Sequence, residues 1–177
     1  MNITVYLGAC EGCDPQLKQA VRELGTWIGT SGNSLVYGGS KTGLMGELAL
    51  AALEAGAEVT GVEPQFFVDS VLQLEGLTRL IVTPDIAERK AKMIELGDAF
   101  VAFPGGTGTL EEISQIMSMI GLGQLDAPCV FYNLNGYYNP MAEQLDRMLA
   151  CDLTSPERLQ GISFARNLDE LAACLQA

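Results

Sequence analysis

Short apolar runs alternate along the chain with segments in which apolar residues recur every three or four positions. The short runs predict β-strands, and the segments with helical spacing predict α-helices. Asp14-Pro15 and Asp85 are helix-start signals. The predicted strands are 3–7, 35–37, 58–62, 79–83, 99–103, 129–132 and an edge strand at 162–164; the predicted helices are 15–30, 44–54, 86–96, 109–120, 141–149 and 168–176. Residues 65–76 show neither pattern.

The predicted strands are continuous apolar runs, which is typical of strands that are covered on both faces of a sheet. Because strands and helices alternate throughout, we predict an α/β fold: a Rossmann-like, doubly wound parallel sheet with helices on both faces, formed as one domain over residues 1–177. Ligands of such sheets bind beyond the carboxyl ends of the strands. Three glycine-bearing loops follow predicted strands, at Gly8, at Gly38-Gly39 and at Gly105-Gly106.

The segment 104–112, with the sequence PGGTGTLEE, carries the clearest chemical signal. It joins a buried strand to a helix, which presents free backbone N–H groups and a positive helix end to an anion, and glycine lets that anion approach closely. It is neither a Walker loop nor a GxGxxG motif, so NAD is not implied. We expect a phosphate to be bound by the N–H groups of Gly105, Gly106, Thr107, Gly108 and Thr109, with both threonine hydroxyls as further donors.

Glu112 lies one turn into the predicted helix, on the same face as Gly108 and Thr109. Its carboxylate should therefore lie close to whatever carries the phosphate, which suggests an enzyme acting on a nucleotide-like substrate. Two structural explanations stay open. The glycines could serve only as a strand-to-helix turn, and Glu112 could only complement the helix dipole.

Two further features could belong to the same site. Arg89 and Lys90 lie on the preceding predicted helix, and the planar fork of an arginine can hold a phosphate or a ribose. The alternative for this pair is a solvated helix face. Gly38 and Gly39 belong to a second glycine-rich turn, where they could let the backbone approach a ligand or let a helix pack closely on a strand.

Charge and composition argue against several classes of function. The net charge of −12 over 177 residues disfavours a nucleic-acid surface, and no apolar run is long enough to span a membrane. We expect a cytoplasmic protein. With no histidine, acid–base chemistry must fall to other side chains and a histidine metal site is excluded. The Cys10–Cys13 CxxC pair has neither a second zinc-ligand pair nor the rest of a thioredoxin pattern, so free thiols are favoured.

Several segments together resemble the Lonely guy (LOG) phosphoribohydrolases, a family long mislabelled as lysine decarboxylases. The segment 104–112 matches the family's PGGxGTxxE motif, 88–93 its ERKAxM segment, and 35–46 its LVYGGxxxGLMG segment. Residues 135–138 are similar to its later GYY turn. The likeness extends in the same order over most of the chain.

The resemblance implies hydrolysis of the N-glycosidic bond of nucleoside 5′-monophosphates, such as cytokinin riboside monophosphates or AMP, to a free base and ribose 5-phosphate. It also implies a homodimer whose partner helps to complete the pocket, and no metal or redox cofactor. By the same resemblance Arg89 and Glu112 form the catalytic pair, and the substrate is bound by Lys90 and residues 105–111, Glu111 included. A carboxylate near C1′ fits this chemistry, because cleavage passes through an oxocarbenium-like sugar.

Three segments depart from the family pattern. The CGSS turn after the first strand is LGAC at 7–10, the MH before ERK is Ile86-Ala87, and the WxQLG segment is 119–123 with the sequence MIGLG. These changes leave the base preference open. Two other functions are weighed against the hydrolase. One is a non-catalytic nucleotide or molybdenum-cofactor carrier; the other is a lysine decarboxylase, for which no lysine has a suitable setting.

Overall fold

The computed structural model describes residues 1–176, which form seven strands and seven α-helices. The strands are β1 (Asn2–Tyr6), β2 (Ser34–Tyr37), β3 (Val59–Pro64), β4 (Arg79–Thr83), β5 (Ala99–Ala102), β6 (Cys129–Tyr132) and β7 (Ile162–Ala165). The helices are α1 (Gln16–Thr30), α2 (Gly43–Glu54), α3 (Gln65–Asp69), α4 (Ile86–Leu96), α5 (Thr107–Gly121), α6 (Asn139–Ala150) and α7 (Leu168–Gln176).

The seven strands form one parallel sheet in the order β4-β3-β2-β1-β5-β6-β7. The chain therefore winds outward from β1 to one edge, returns through α4 to the centre, and winds outward to the other edge. This confirms the predicted doubly wound α/β fold, and it confirms 162–164 as part of an edge strand. The reversal of direction lies between β1 and β5, where open α/β sheets form a crevice at the carboxyl ends of their strands.

Helices cover both faces of the sheet. One core cluster joins α1, α2 and α7 to the sheet and includes Leu24 and Leu48, which are fully buried. The other joins α4 and α5 to the opposite face and includes Met93 and Ile116. Because right-handed crossovers change face when the winding direction reverses, α4 and α5 lie on the same face, α4 over β1 to β4 and α5 over β5, β1 and β6. This places two consecutive helices, one on either side of β5 in the chain, next to each other at the crevice.

The element bounds differ from the predicted ones by a few residues at several ends. Helix α1 begins at Gln16, one residue later than Pro15, although Asp14 makes the expected capping contact by accepting from the Gln16 N–H at 2.9 Å. Asp85 caps α4 as predicted, accepting from the Glu88 N–H at 2.9 Å. Residues 65–76 contain the short helix α3 and one antiparallel bridge, between Gln73 and Ser40. Within residues 1–176 no helix is long and apolar enough to cross a membrane.

Candidate active site

A cleft of about 460 Å³ lies at the carboxyl ends of β1, β2 and β5. Its floor is formed by the end of β1 and the loop that follows, and its walls by α4 and the first turns of α5. The lining residues that the sequence analysis named are Gly8, Gly38, Arg89, Gly106, Thr107, Gly108, Thr109, Glu111 and Glu112. The fold thus brings together at one edge segments that are up to about a hundred residues apart in the chain.

The amino end of α5 faces this cleft. The helix begins at Thr107, two residues earlier than predicted, so Thr107, Gly108 and Thr109 form its first turn instead of a preceding loop. The first N–H groups of a helix have no partner within it, and Gly106, the N-cap, offers no side-chain cap. A Cβ at Gly106 or Gly108 would meet no atom within 4 Å. The backbone here is therefore open to an incoming anion.

Gly105 has a different role from the other two glycines of this segment. A Cβ at Gly105 would lie 2.2 Å from the Thr109 Oγ1 atom and 2.9 Å from the backbone nitrogen of Gly8. The Thr109 side chain is buried beneath this glycine. Its hydroxyl is thus packed against the loop, whereas Thr107 is exposed at the cleft. Contacts from either hydroxyl to a phosphate stay predictions.

Arg89 of α4 and Glu112 of α5 form an ion pair on the wall of the cleft. The Arg89 Nη1 donates to Glu112 Oε1 at 2.6 Å, and its Nε donates to the Val62 carbonyl at 2.9 Å. Both side chains are almost covered, with 12% and 11% of their surface exposed. Two anchors therefore fix the guanidinium plane, while the remaining Nη2 points toward Gly38.

The electrostatic setting of Glu112 suits proton transfer. Burial raises the pKa of Glu112, whereas the charge of Arg89 and its hydrogen bond lower it. A carboxylate poised above its usual range but still paired with a cation can remain ionised and yet accept a proton. The catalytic roles of Arg89 and Glu112 stay predictions, while the structure places the two side chains in contact.

A second ion pair runs parallel to the first. Lys90 of α4 contacts Glu111 of α5 through Nζ and Oε1. The Glu111 side chain is more than half exposed and lines the cleft, whereas Lys90 lies behind it. The two pairs together join α4 to α5 at the open end of the cleft. Substrate contacts from either residue stay predictions.

Gly38 and Gly39 are both close to charged side chains. A Cβ at Gly38 would lie 2.5 Å from the Arg89 Nη2, and a Cβ at Gly39 would lie 2.7 Å from the Glu63 Cγ. Gly39 has a φ of +86°, which a side chain rarely adopts. Gly38 lines the cleft, whereas Gly39 turns the chain beside Glu63. The glycines thus make room for neighbouring side chains, and their contact with a ligand stays a prediction.

Several residues of this region were not identified from the sequence patterns. Glu63 is fully buried, and both of its carboxylate oxygens lack a hydrogen-bond partner within residues 1–176. Tyr6 and Met45 line the cleft. The Tyr137 hydroxyl donates to the Gly105 carbonyl at 2.5 Å and so ties the glycine loop to the turn after β6. Strand-end position could have indicated Tyr6 and Glu63, because Tyr6 is the last but one residue of a predicted strand and Glu63 directly follows another.

Within residues 1–176 no group of three or more Cys, Asp or Glu side chains is placed to hold a metal ion. Cys10 and Cys13 are exposed, free thiols on the loop after β1. They line a neighbouring cavity of about 500 Å³ on the other side of Gly8 and Gly106.

Comparison with known proteins shows the family to which this chain belongs. A protein family described as "Possible lysine decarboxylase" matches residues 45–175. A cytokinin riboside 5′-monophosphate phosphoribohydrolase of Rhodococcoides fascians is 37% identical over 177 residues, which covers 99% of this chain and 89% of that protein. This chain belongs to the LOG family. Another LOG protein, a phosphoribohydrolase of the same name from Arabidopsis thaliana, is 34% identical, and the match covers 99% of this chain and 82% of that one.

Solved structures show how widely this fold is shared. The molybdenum cofactor carrier protein of Chlamydomonas reinhardtii superposes with a TM-score of 0.75 at 22% identity, and the match covers 99% of this chain and 95% of the carrier. At that identity the likeness concerns the fold alone. The LOG relatives match the same length of chain at clearly higher identity.

Proposed function

We propose that this protein hydrolyses the N-glycosidic bond of a nucleoside 5′-monophosphate, releasing the free base and ribose 5-phosphate. The observation that carries the proposal is the Arg89–Glu112 pair, almost covered, beside the open amino end of α5. The relatives' printed name makes cytokinin riboside 5′-monophosphates the first substrates to test, with AMP beside them.

The amino end of α5 supports the placing of the 5′-phosphate. Free N–H groups at Thr107, Gly108 and Thr109 and the positive end of the helix dipole attract an anion. Glu112 lies one turn further along α5, so a ribose that extends from the bound phosphate brings C1′ toward its carboxylate. Lys90 supports the site from behind, because it neutralises Glu111 at the rim.

The proposed reaction uses side chains and water. Glu112 takes a proton from a water molecule that attacks C1′, and the glycosidic electron pair leaves with the base nitrogen, which is then protonated. The negative charge of Glu112 also stabilises the oxocarbenium-like sugar in the transition state. Arg89 favours the ionised form of Glu112, and its Nη2, which is not engaged by either anchor, is available to the substrate.

Product analysis tests this proposal directly. Purified protein is incubated with AMP and with isopentenyladenosine monophosphate, and free base and ribose 5-phosphate are measured by chromatography. We expect both products from the wild type, loss of at least about 100-fold in rate for Glu112→Ala, and an unchanged rate for Glu95→Ala, an exposed glutamate of α4. A folded wild type that binds the nucleotides and releases no base would refute the hydrolase and favour a carrier.

We also propose a homodimer that covers the rim of the cleft. Of the twelve large apolar side chains that are exposed within residues 1–176, six lie between residues 66 and 86. Two of these, Phe67 and Ile86, also line the cleft, and Leu80 and Val82 lie on the edge strand β4. Exposed apolar surface at a sheet edge is a place for a second chain. Light scattering should give twice the monomer mass of 18.9 kDa; a monomer at assay concentration would refute it. A cytoplasmic location stays a prediction.

A further inference from the structure

Tyr6 is held rigidly at the floor of the cleft. It is the last residue of β1, pairs with Ala102 of β5, and accepts a backbone hydrogen bond from the Phe103 N–H at 2.9 Å. Its ring stacks on Phe100, with the two ring planes within 10°. Only 2% of the residue is exposed, yet it lines the cleft. The ring therefore has one position, and its surroundings are set by the sheet.

The hydroxyl of Tyr6 has no hydrogen-bond partner in the described part of the chain. The neighbouring tyrosines differ, because Tyr137 and Tyr138 donate to the carbonyls of Gly105 and Phe103. Unlike the Tyr37 hydroxyl, which is fully enclosed, the Tyr6 hydroxyl can be reached from the cleft. At the floor of a ligand cleft, the natural partner is a group of the bound ligand or a water molecule.

The charges of Arg89 and Glu112 both influence the pKa of the Tyr6 hydroxyl. Burial and then the negative charge of Glu112 raise the pKa of Tyr6, while the positive charge of Arg89 lowers it. The phenol is therefore neutral and can both donate and accept a hydrogen bond. It differs in this respect from Arg89, which only donates, and from ionised Glu112, which only accepts.

We propose that Tyr6 is a further catalytic residue whose hydroxyl oxygen accepts a hydrogen bond from the attacking water. The inference rests on the proposed hydrolase function. The water donates one hydrogen to Glu112 and the other to the Tyr6 Oη, so that an oxygen lone pair is directed at C1′. As the C1′–O bond forms and the C1′–N bond breaks, Glu112 takes the first proton, which then passes to the base nitrogen. Tyr6 keeps its own proton and only orients the water.

The test compares Tyr6→Phe with Tyr37→Phe. Each substitution deletes one oxygen, and the Tyr37 hydroxyl also lacks a partner but lies outside the cleft. We expect kcat of Tyr6→Phe to fall about tenfold or more, the effect of one hydrogen bond realised in the transition state, with KM within about twofold. Tyr37→Phe should keep the wild-type kcat. A wild-type kcat for Tyr6→Phe, or an effect confined to KM, would overturn the inference.

A second measurement does not depend on how much of the variant is folded. In a water–methanol mixture the products are ribose 5-phosphate and its methyl glycoside. Methanol has one O–H group, which would donate to Glu112. Only water has a second hydrogen to donate to the Tyr6 Oη, so only water is oriented by Tyr6. We expect the ratio of methanolysis to hydrolysis to rise in Tyr6→Phe, and an unchanged ratio would contradict the role. A wild type that releases no base would instead refute the proposed function itself, so the two failures are distinguishable.

Discussion

Adding one methyl group at Gly38 tests whether the position of Arg89 governs activity. A Cβ at Gly38 would lie 2.5 Å from the Arg89 Nη2 and 3.0 Å from the Met45 Sδ. Non-bonded heavy atoms require about 3.5 Å, so the guanidinium must move by about 1 Å. Since Nη1 of Arg89 lies 2.6 Å from Oε1 of Glu112, a displacement of this size away from the carboxylate lengthens the contact to about 3.6 Å, beyond hydrogen-bond range.

We expect two measurable effects of Gly38→Ala. The free energy of unfolding should fall by about 1–3 kcal/mol, the usual cost of overpacking. The kcat/KM for base release should fall by about 100-fold, because a catalytic group misplaced by about 1 Å loses roughly that much. Urea denaturation and chromatographic product analysis measure the two effects on the same preparation.

Gly32→Ala is the matched control. Gly32 follows the carboxyl end of α1 with a φ of +70°, and a Cβ there would meet no atom within 4 Å. The substitution should therefore cost about 1–2 kcal/mol of backbone strain and leave kcat/KM unchanged. If a crystal structure of Gly38→Ala shows a displaced Arg89 while kcat/KM equals that of the wild type, the geometry of the pair does not govern activity.

Three further predictions concern other buried groups. Tyr138→Phe removes the 2.9 Å hydrogen bond to the Phe103 carbonyl and should lower the free energy of unfolding by about 1–2 kcal/mol; an unchanged urea midpoint would contradict this. Burial raises the pKa of Glu63 above 4.5. Between the pKa of the unfolded state and that of the folded state, the folded protein binds more protons. The free energy of unfolding therefore declines by at most about 1.4 kcal/mol per pH unit as the pH rises through this interval. Glu63→Gln should reduce the decline, and an identical profile would contradict the burial argument. Because burial also raises the pKa of Glu112, the acid limb of kcat/KM should lie above the ordinary carboxyl range, and a limb near pH 4.5 would show that Glu112 is not the base.

The order and type of the elements could be predicted because they depend on local patterns. The strand of 99–103 and the helix of 86–96 are apolar runs and helical repeats that single segments contain, and α4 has the predicted bounds. The start of α5 could not be predicted as well. Glycines at 106 and 108 indicated a loop, yet Gly108 lies in the first helical turn, where Thr109 packs beneath Gly105.

In the candidate site too, some features could be found from the sequence and others could not. Its glycine motif and Glu112 could be found in the sequence, because backbone N–H groups at a strand–glycine–helix junction are a local property. The position of Glu63 was not evident, because nothing in a segment of alternating apolar and small residues shows that its carboxylate is fully enclosed. Tyr6 could have been located at a strand end, but that its hydroxyl lacks a partner becomes visible only when its neighbours are known.

The sequence by itself thus determined the α/β alternation, the parallel sheet and the strand–glycine–helix turn, since each follows from patterns a few residues long. Only the tertiary structure decided which side chains meet. Arg89 and Glu112 are 23 residues apart, and they touch because the winding reverses at β1 and brings α4 and α5 to the same face. The same reversal brings Arg89 against Gly38, which follows β2, and against the Val62 carbonyl of β3. Contacts of this kind depend on the order of strands in the sheet, which no local pattern encodes.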